Sequence, residues 1–286
     1  MMTMNKVVFL LFLFVCSLVF GQKIVSKTKL SLELSEISGI ELWRDSILVA
    51  INDGGNLPEV YFLDFSGNII HKAHLKGARN MDWEDLAISD QDTLYIGDFG
   101  NNLGNRIDRA IYKINLADAW KSDTITSLRM SISFEGQPYQ KEKIKNHPYD
   151  CEALCFFKDT LWMISKNRIA KKGTADIKKR QPILYAADAK IGGKAIMIDT
   201  IPFTKIRSGY KDQVTGADII NGKLYFLTYD GLYQFVCEKS LLKQEINFKS
   251  LTQKEAIVFL NQKSCFIAAE RFRWLGGPYL YKVEWK

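Results

Sequence analysis

Only three histidines, His71, His74 and His147, occur in the 286 residues of the chain. No Ser-His-Asp or Cys-His arrangement is evident, so nucleophilic catalysis of the triad kind has no visible basis. Beyond residue 20 no apolar run is long enough to span a membrane. The charge excess is small, +7 overall, and does not by itself imply a nucleic-acid partner. Cysteine is equally sparing. Cys151 and Cys155 lie four apart on one predicted strand, ~13 Å at the rise of a strand, too far to bridge each other. With Cys237 and Cys265 they read as buried free thiols, with pairing among the four in an oxidising compartment as the alternative. Gly54, Gly55, Gly100 and Gly104 sit in loops without a nucleotide-binding pattern, and read as residues that permit turns.

What is present begins with a leader. Lys6 gives a positive start, Val7 to Phe20 is an almost unbroken apolar run, and Val19-Phe20-Gly21 is a small-residue cleavage pattern. Residues 1–21 therefore read as a signal peptide and 22–286 as one exported domain, periplasmic or extracellular.

That domain is repetitive. Cys151-Glu152-Ala153-Leu154-Cys155-Phe156 leads into Lys158-Asp159-Thr160-Leu161-Trp162, and similar pairs of segments begin at Ile37, Trp83, Val214 and Lys254. Between the two segments lie Trp43-Arg44-Asp45, Ser89 to Asp92, Lys158-Asp159, Asn221-Gly222 and Asn261-Gln262, which is hairpin-turn chemistry. A third strand carries an aliphatic-Tyr pair every time: Val60-Tyr61, Ile111-Tyr112, Leu184-Tyr185, Leu232-Tyr233 and Leu280-Tyr281. Fourth strands are expected over 69–75, 128–134, 194–201 and 244–248. The last repeat lacks one, and the alternating segment Lys29 to Leu34 is spare at the other end. This pattern predicts an all-β, five-bladed β-propeller of four-stranded blades, closed by the N-terminal strand joining the last blade and hiding an open edge.

In that topology the lead polar residues Ser38, Glu84, Glu152, Thr215 and Glu255 start the innermost strands and face the axis. Three carboxylates at ~5 Å in an effective dielectric near 20 cost roughly 3 kcal/mol per pair. They either take up protons or surround a cation. An all-oxygen ring without histidine or thiol suits a hard ion, and calcium tolerates an irregular shell better than magnesium does. Asp82, Asp85 and Asp150 lie near but have no equivalents in the other repeats.

The order Ser, Glu, Glu, Ser/Thr, Glu, one per repeat, resembles the calcium-activated nucleotidases, the five-bladed apyrases. The resemblance implies one axial calcium ion held by Ser38, Glu84, Glu152, Thr215 and Glu255. The loops depart from that family. Asn52-Asp53-Gly54-Gly55 stands where it carries Asp-Asp-Arg-Thr-Gly, and Gly97-Asp98-Phe99-Gly100-Asn101-Asn102 where it carries Gly-Lys-Glu-Trp. The stretches Asn80 to Asp85 and Asp98 to Asn102, with Arg109 and Tyr112, look closer to the exported propellers called SdiA-regulated or phytase-esterase-like. Calcium carries over, and nucleotidase activity does not.

The long loops after the second strands surround the ring, and function is expected there. Asp53, Asp98, Asp230 and Glu270 end second strands, where they could position or deprotonate a water. Asp53, Asp98 and Arg109 are the candidates if the protein is an enzyme. Asn52, Asn101, Asn102, Arg106, Lys166, Asp230, Glu270 and Arg271 are the candidates for contacting a ligand or partner. Arg106, Arg109, Arg168, Lys171, Lys172, Lys178, Lys179, Arg180, Arg271 and Arg273 form a cationic collar suited to an anion, although Lys171 to Arg180 also reads as a solvated loop. Arg271-Phe272-Arg273-Trp274-Leu275 has the composition of an interface anchor. The expectation is a calcium-centred module that binds an envelope protein or an anionic small molecule. The alternative is a calcium-dependent phosphoester hydrolase.

Overall fold

The computed structural model describes residues 23–138, 142–144, 147–166, 181–203, 212–236, 239, 241–248, 253–272 and 276–285. These are nearly all β. The strands are β1 (Lys23–Lys29), β2 (Ile37–Trp43), β3 (Ile47–Asn52), β4 (Glu59–Leu63), β5 (Ile69–Lys76), β6 (Trp83–Ile88), β7 (Thr93–Asp98), β8 (Ala110–Asn115), β9 (Thr124–Thr126) and β10 (Leu128–Phe134). They continue with β11 (Cys151–Phe157), β12 (Thr160–Ser165), β13 (Ile183–Asp188), β14 (Gly192–Thr200), β15 (Val214–Ile220), β16 (Lys223–Thr228), β17 (Gly231–Val236), β18 (Leu241–Asn247), β19 (Lys254–Asn261), β20 (Ser264–Ala269) and β21 (Tyr279–Glu284).

Consecutive strands pair antiparallel as β2-β3-β4-β5, β6-β7-β8-β10, β11-β12-β13-β14 and β15-β16-β17-β18, and the chain ends in β19-β20-β21-β1. The second and third sets fuse into one eight-stranded sheet, because β10 and β14 pair in parallel at their outer edges. The first strands β2, β6, β11, β15 and β19 pack side by side in a closed cycle. This connectivity is that of a β-propeller.

Turn chemistry sets the register. Arg44 and Asp45, Lys158 and Asp159, and Asn221 and Gly222 all take positive φ, as a tight hairpin between twisted strands requires. Every one of the aliphatic-Tyr pairs is buried on its third strand. Apolar side chains fill the layers between sheets. Trp43, for example, packs on Phe62 at 5.7 Å and on Trp120 at 6.0 Å between ring centroids. Each such large side chain contributes roughly 1.5–3 kcal/mol on burial.

The closing strand lies earlier than its sequence pattern suggests. Residues 23–29, not 29–34, form β1 and pair antiparallel with β21 from Lys23 opposite Glu284 to Lys29 opposite Tyr279. The alternation of residues 29–34 comes from a short 3-10 turn, Leu32–Leu34. Ser31 caps it by accepting from the Glu33 amide, which leaves Leu30 and Leu34 buried on one side and Leu32 exposed. Two fourth strands are also displaced, with β14 and β18 each beginning upstream of the expected segment.

First strands of a propeller leave one row of amides facing the axis, and these require acceptors. Two carboxylates supply several. Asp85 accepts from the Leu86 and Leu154 amides, both at 2.9 Å. Asp218 accepts from Ile219 at 2.6 Å and Phe259 at 2.7 Å. The strands approach so closely that a Cβ on Gly216 would lie 2.8 Å from the Glu255 carbonyl oxygen.

Cys151, Cys155 and Cys265 are buried free thiols, in keeping with the sequence reading, and Cys237 lies outside the described residues. No helix among the described residues is long and apolar enough to cross a membrane.

Candidate functional site

Ser38, Glu84, Glu152, Thr215 and Glu255 are each the second residue of a first strand. At each of them the pairing with the second strand slips by one residue. The partners jump from Ile37 to Gly39, Trp83 to Asp85, Cys151 to Ala153, Val214 to Gly216 and Lys254 to Ala256. The lead residue is therefore the extra residue of a β-bulge. A bulge frees one residue from the ladder and re-aims its side chain. Here all of them line one cavity of about 210 Å³, together with Ile37, Asp53, Asn102, Lys166, Tyr229, Gln253 and Glu270.

The carboxylates are not evenly spread around that cavity. Oxygens of Glu84, Asp150 and Glu152 lie within 4.8 Å of one another, and so do oxygens of Asp53, Asp82 and Glu84. Glu84 belongs to both groups. Glu255 stands apart from them, near the Tyr229 hydroxyl at 3.5 Å and Gln253 Nε2 at 3.4 Å. Ser38 donates to the Trp83 carbonyl at 3.1 Å. Thr215 is 2% exposed, and its Oγ1 has no partner among the described residues.

A cation of the chain already enters this cluster. Lys166 Nζ lies 2.9 Å from Glu152 Oε2, with both side chains buried. Burial disfavours the ammonium, but the fields of Glu152, Tyr229, Glu255 and Asp150 outweigh it and hold the Lys166 pKa well above that of an ordinary lysine. The carboxyls move upward as well. Burial, then the field of Glu152, raises Glu84 well above the usual range. Burial, then Asp53 and Asp150, pushes Asp82 up to about 7. Burial raises Glu255 to about 7 against the opposing field of Lys166. Glu270 reaches about 8 through burial, then Glu255 and Asp53. The cavity is short of positive charge.

Two loop glycines let the chain close over the cluster. A Cβ on Gly100 would sit 2.0 Å from Glu84 Oε1 and 2.6 Å from Asp82 Cγ. A Cβ on Gly54 would sit 2.7 Å from the Met81 carbonyl and 2.9 Å from Asp82 Cα.

The other sequence candidates divide sharply. Asp53, Asn102, Lys166 and Glu270 reach the cavity. Asp98 is 1% exposed and is tied to Arg106 Nη2 at 2.9 Å and to the Asp82 amide at 3.0 Å. Arg106 also donates to the Gly100 carbonyl at 3.0 Å and lies 3.3 Å from Asp108, so it clamps the loop. Asn101 latches the same loop, taking the Arg106 amide at 2.9 Å while its own amide donates to Asp150 at 2.7 Å. Asn52 donates to the Glu33 carbonyl at 2.7 Å. Asp230 holds the Phe248 amide through its carbonyl at 2.6 Å, and Arg271 is exposed, with its amide bonded to the Ser35 carbonyl at 2.7 Å. Arg109 is 5% exposed and packs over Phe134 away from the cavity lining. Arg168, Lys171, Lys172, Lys178, Lys179, Arg180, Arg273, Trp274 and Leu275 lie outside the described residues.

Sequence spacing alone ranks Asp82 and Asp150 below the ring because no aspartate stands at their position in the other three repeats. Both precede a lead glutamate by two residues, and that shared offset is the signal that could have promoted them. The Lys166–Glu152 ion pair has no counterpart in local sequence, since Glu152 lies on β11 and Lys166 just past the end of β12.

No family model matches the chain, and no curated protein sequence does. Solved structures do resemble it. A putative gluconolactonase is 10% identical over 88% of this chain and 75% of its own, with a TM-score of 0.49. The PQQ-bound aldose sugar dehydrogenase of Streptomyces coelicolor is 8% identical over 93% of this chain and 98% of its own, with a TM-score of 0.48. The virginiamycin B lyase of Staphylococcus aureus is 11% identical over 87% of this chain, which spans just under two thirds, 66%, of that protein, at a TM-score of 0.42. Likenesses this distant carry no inference about binding or activity.

Proposed function

We propose that the chain is an exported five-bladed β-propeller that holds a hard divalent cation, calcium, at its axis and works as a binding module through the surrounding loop face. The observation that carries this reading is the donor set. Glu84, Glu152 and Asp150 converge within 4.8 Å, and Thr215 offers a buried oxygen with no partner among the described residues. Glu84, Glu152, Asp150 and Thr215 would hold the ion, with Ser38 and Glu255 completing the ring, and Asp53 and Asp82 at its edge. Bound there, the ion supplies positive charge that one lysine cannot, and fixes the loops that carry Asp53 and Asn102. The resemblance of the ring to that of the apyrases agrees with this. Against nucleotidase chemistry stands Arg106, committed to Asp98 and Asp108 and not turned towards a phosphate. An envelope protein, or an anionic small molecule attracted by the ion, is the partner of this face.

Melting curves across pH test the cation. Asp82, Glu255 and Glu270 have folded pKa values of about 7, 7 and 8, raised mainly by burial, against about 4 in an unfolded chain. Between about pH 4 and 8 the folded state therefore binds more protons than the unfolded one. Stability present at low pH is lost as pH rises through that window. In chelator the melting temperature should fall from pH 5 to pH 8. Calcium binds the ionised carboxylates, so its addition should flatten or reverse the slope. Coincident profiles with and without calcium would sink the cation reading.

Gly100→Ala tests the geometry. Its methyl needs the space that Glu84 Oε1 occupies, so the carboxylate must swing away. We expect calcium affinity by calorimetric titration to fall about tenfold or more, with the β signature in circular dichroism retained. Unchanged affinity would separate Glu84 from the ion.

One observation favours a second reading. Asp82, Glu255 and Glu270, at about 7 to 8, can each give or take a proton near neutral pH around one cavity. Calcium-dependent turnover of a phosphoester or lactone, abolished by Asp53→Asn, would select the hydrolase. No turnover over a broad panel keeps the binding module.

A further inference from the structure

Outside the axial cavity, the buried guanidinium of Arg109 has no ion-pair partner among the described residues. Arg109, just before β8, is 5% exposed, and its Nε and Nη1 have no hydrogen-bond partner among the described residues. Its guanidinium carbon lies 4.5 Å from the centre of the Phe134 ring. Tyr185 packs on that same ring at 4.9 Å and 77°, is fully buried, and its hydroxyl is also without a partner among the described residues. The carboxylates that could have served are engaged elsewhere. Asp98 is held by Arg106 Nη2 at 2.9 Å, and Asp108 lies 3.3 Å from Arg106 Nε with its side chain 58% exposed. Burial accordingly lowers the Arg109 pKa to about 10, despite the opposing fields of Cys151 and Tyr185.

A guanidinium over an aromatic face gains much less than the hydration an ion loses on burial. An anion carried in from solvent would meet the shortfall. We propose that the Arg109 guanidinium, with the Tyr185 hydroxyl, binds a small monovalent inorganic anion, of which chloride is the type. A single negative charge matches the single buried positive one. A phosphate dianion would leave excess charge in an aromatic setting with only the guanidinium and one hydroxyl as donors.

The test is a chloride titration of the purified protein at constant ionic strength, with gluconate, too bulky for such a site, as the balancing anion. Calcium or chelator is held fixed throughout, so that the result is independent of the axial site. The melting temperature should rise on the order of 5 °C for a hundredfold increase of chloride above its dissociation constant. Arg109→Met should abolish that response and Tyr185→Phe should weaken it. A second measurement does not depend on the variants folding: bromide-soaked crystals of the unaltered protein should give an anomalous peak beside the guanidinium. A melting temperature indifferent to chloride, an undiminished response in Arg109→Met, or no bromide at Arg109 would each overturn the proposal.

Discussion

Replacing Lys166 with methionine is expected to weaken the calcium-free protein and strengthen its grip on calcium. Lys166 Nζ lies 2.9 Å from Glu152 Oε2, and the two side chains are 8% and 4% exposed. Removing one member of such a buried pair leaves the other charge uncompensated, which costs about 3–5 kcal/mol. In chelator that corresponds to a fall in melting temperature on the order of 10 °C. The same substitution removes a positive charge from the place proposed for the cation. Affinity for calcium should therefore rise on the order of tenfold, and saturating calcium should restore most of the lost stability. The two readouts move in opposite directions, which loss of packing alone would not produce. If the variant melts like the parent in chelator, the ion pair is not structural. If its calcium affinity drops, Lys166 is not a competitor for the site.

Glu84→Gln should have the opposite pair of effects. Glu84 is the member common to both carboxylate groups, so its charge contributes to any ion placed in either. Neutralising it should reduce calcium affinity at least about a hundredfold and erase the calcium-dependent rise in melting temperature. In chelator the variant should melt at or above the parent near neutral pH. Burial and the neighbouring Glu152 already oppose ionisation of Glu84 in the fold, and glutamine carries no charge to oppose. Retained calcium stabilisation in Glu84→Gln would move the ion out of the proposed ring. A large loss of stability in chelator would make Glu84 a structural acceptor.

The contrast between these substitutions follows from how unevenly the cavity is built. A symmetric ring of Ser38, Glu84, Glu152, Thr215 and Glu255 is the simplest reading of the repeats. In the structure the acid density leans towards Glu84 and Glu152, because Asp82 and Asp150 come in beside them and Gly54 and Gly100 let loop backbone approach. On the other side Glu255 is engaged by Tyr229 and Gln253. Asp98, a catalytic candidate in sequence, and Asn101 and Arg106, candidate ligand contacts, instead bind one another and the loop carbonyls. Their polarity is absorbed by holding up a loop that has no regular pairing of its own.

The sequence by itself determined the strand content, the hairpin turns, the buried tyrosine pairs and the recurring position of the polar residue. Each depends on contacts within about fifty residues, and those contacts repeat, so chance is averaged out. Closure was legible only as a need: an unpaired edge on β21 demanded a strand, but whether residues 23–29 or 29–34 supplied it rested on the burial of Leu30 and Leu34 against the assembled sheets. The tertiary structure alone decided that the lead residues are bulges, that Lys166 pairs with Glu152, and that Asp82 and Asp150 join the acid cluster. A bulge is fixed by how two strands slip to let the first strands meet at the axis, and an ion pair by which loop ends there. Neither leaves a mark in the spacing of residues along the chain.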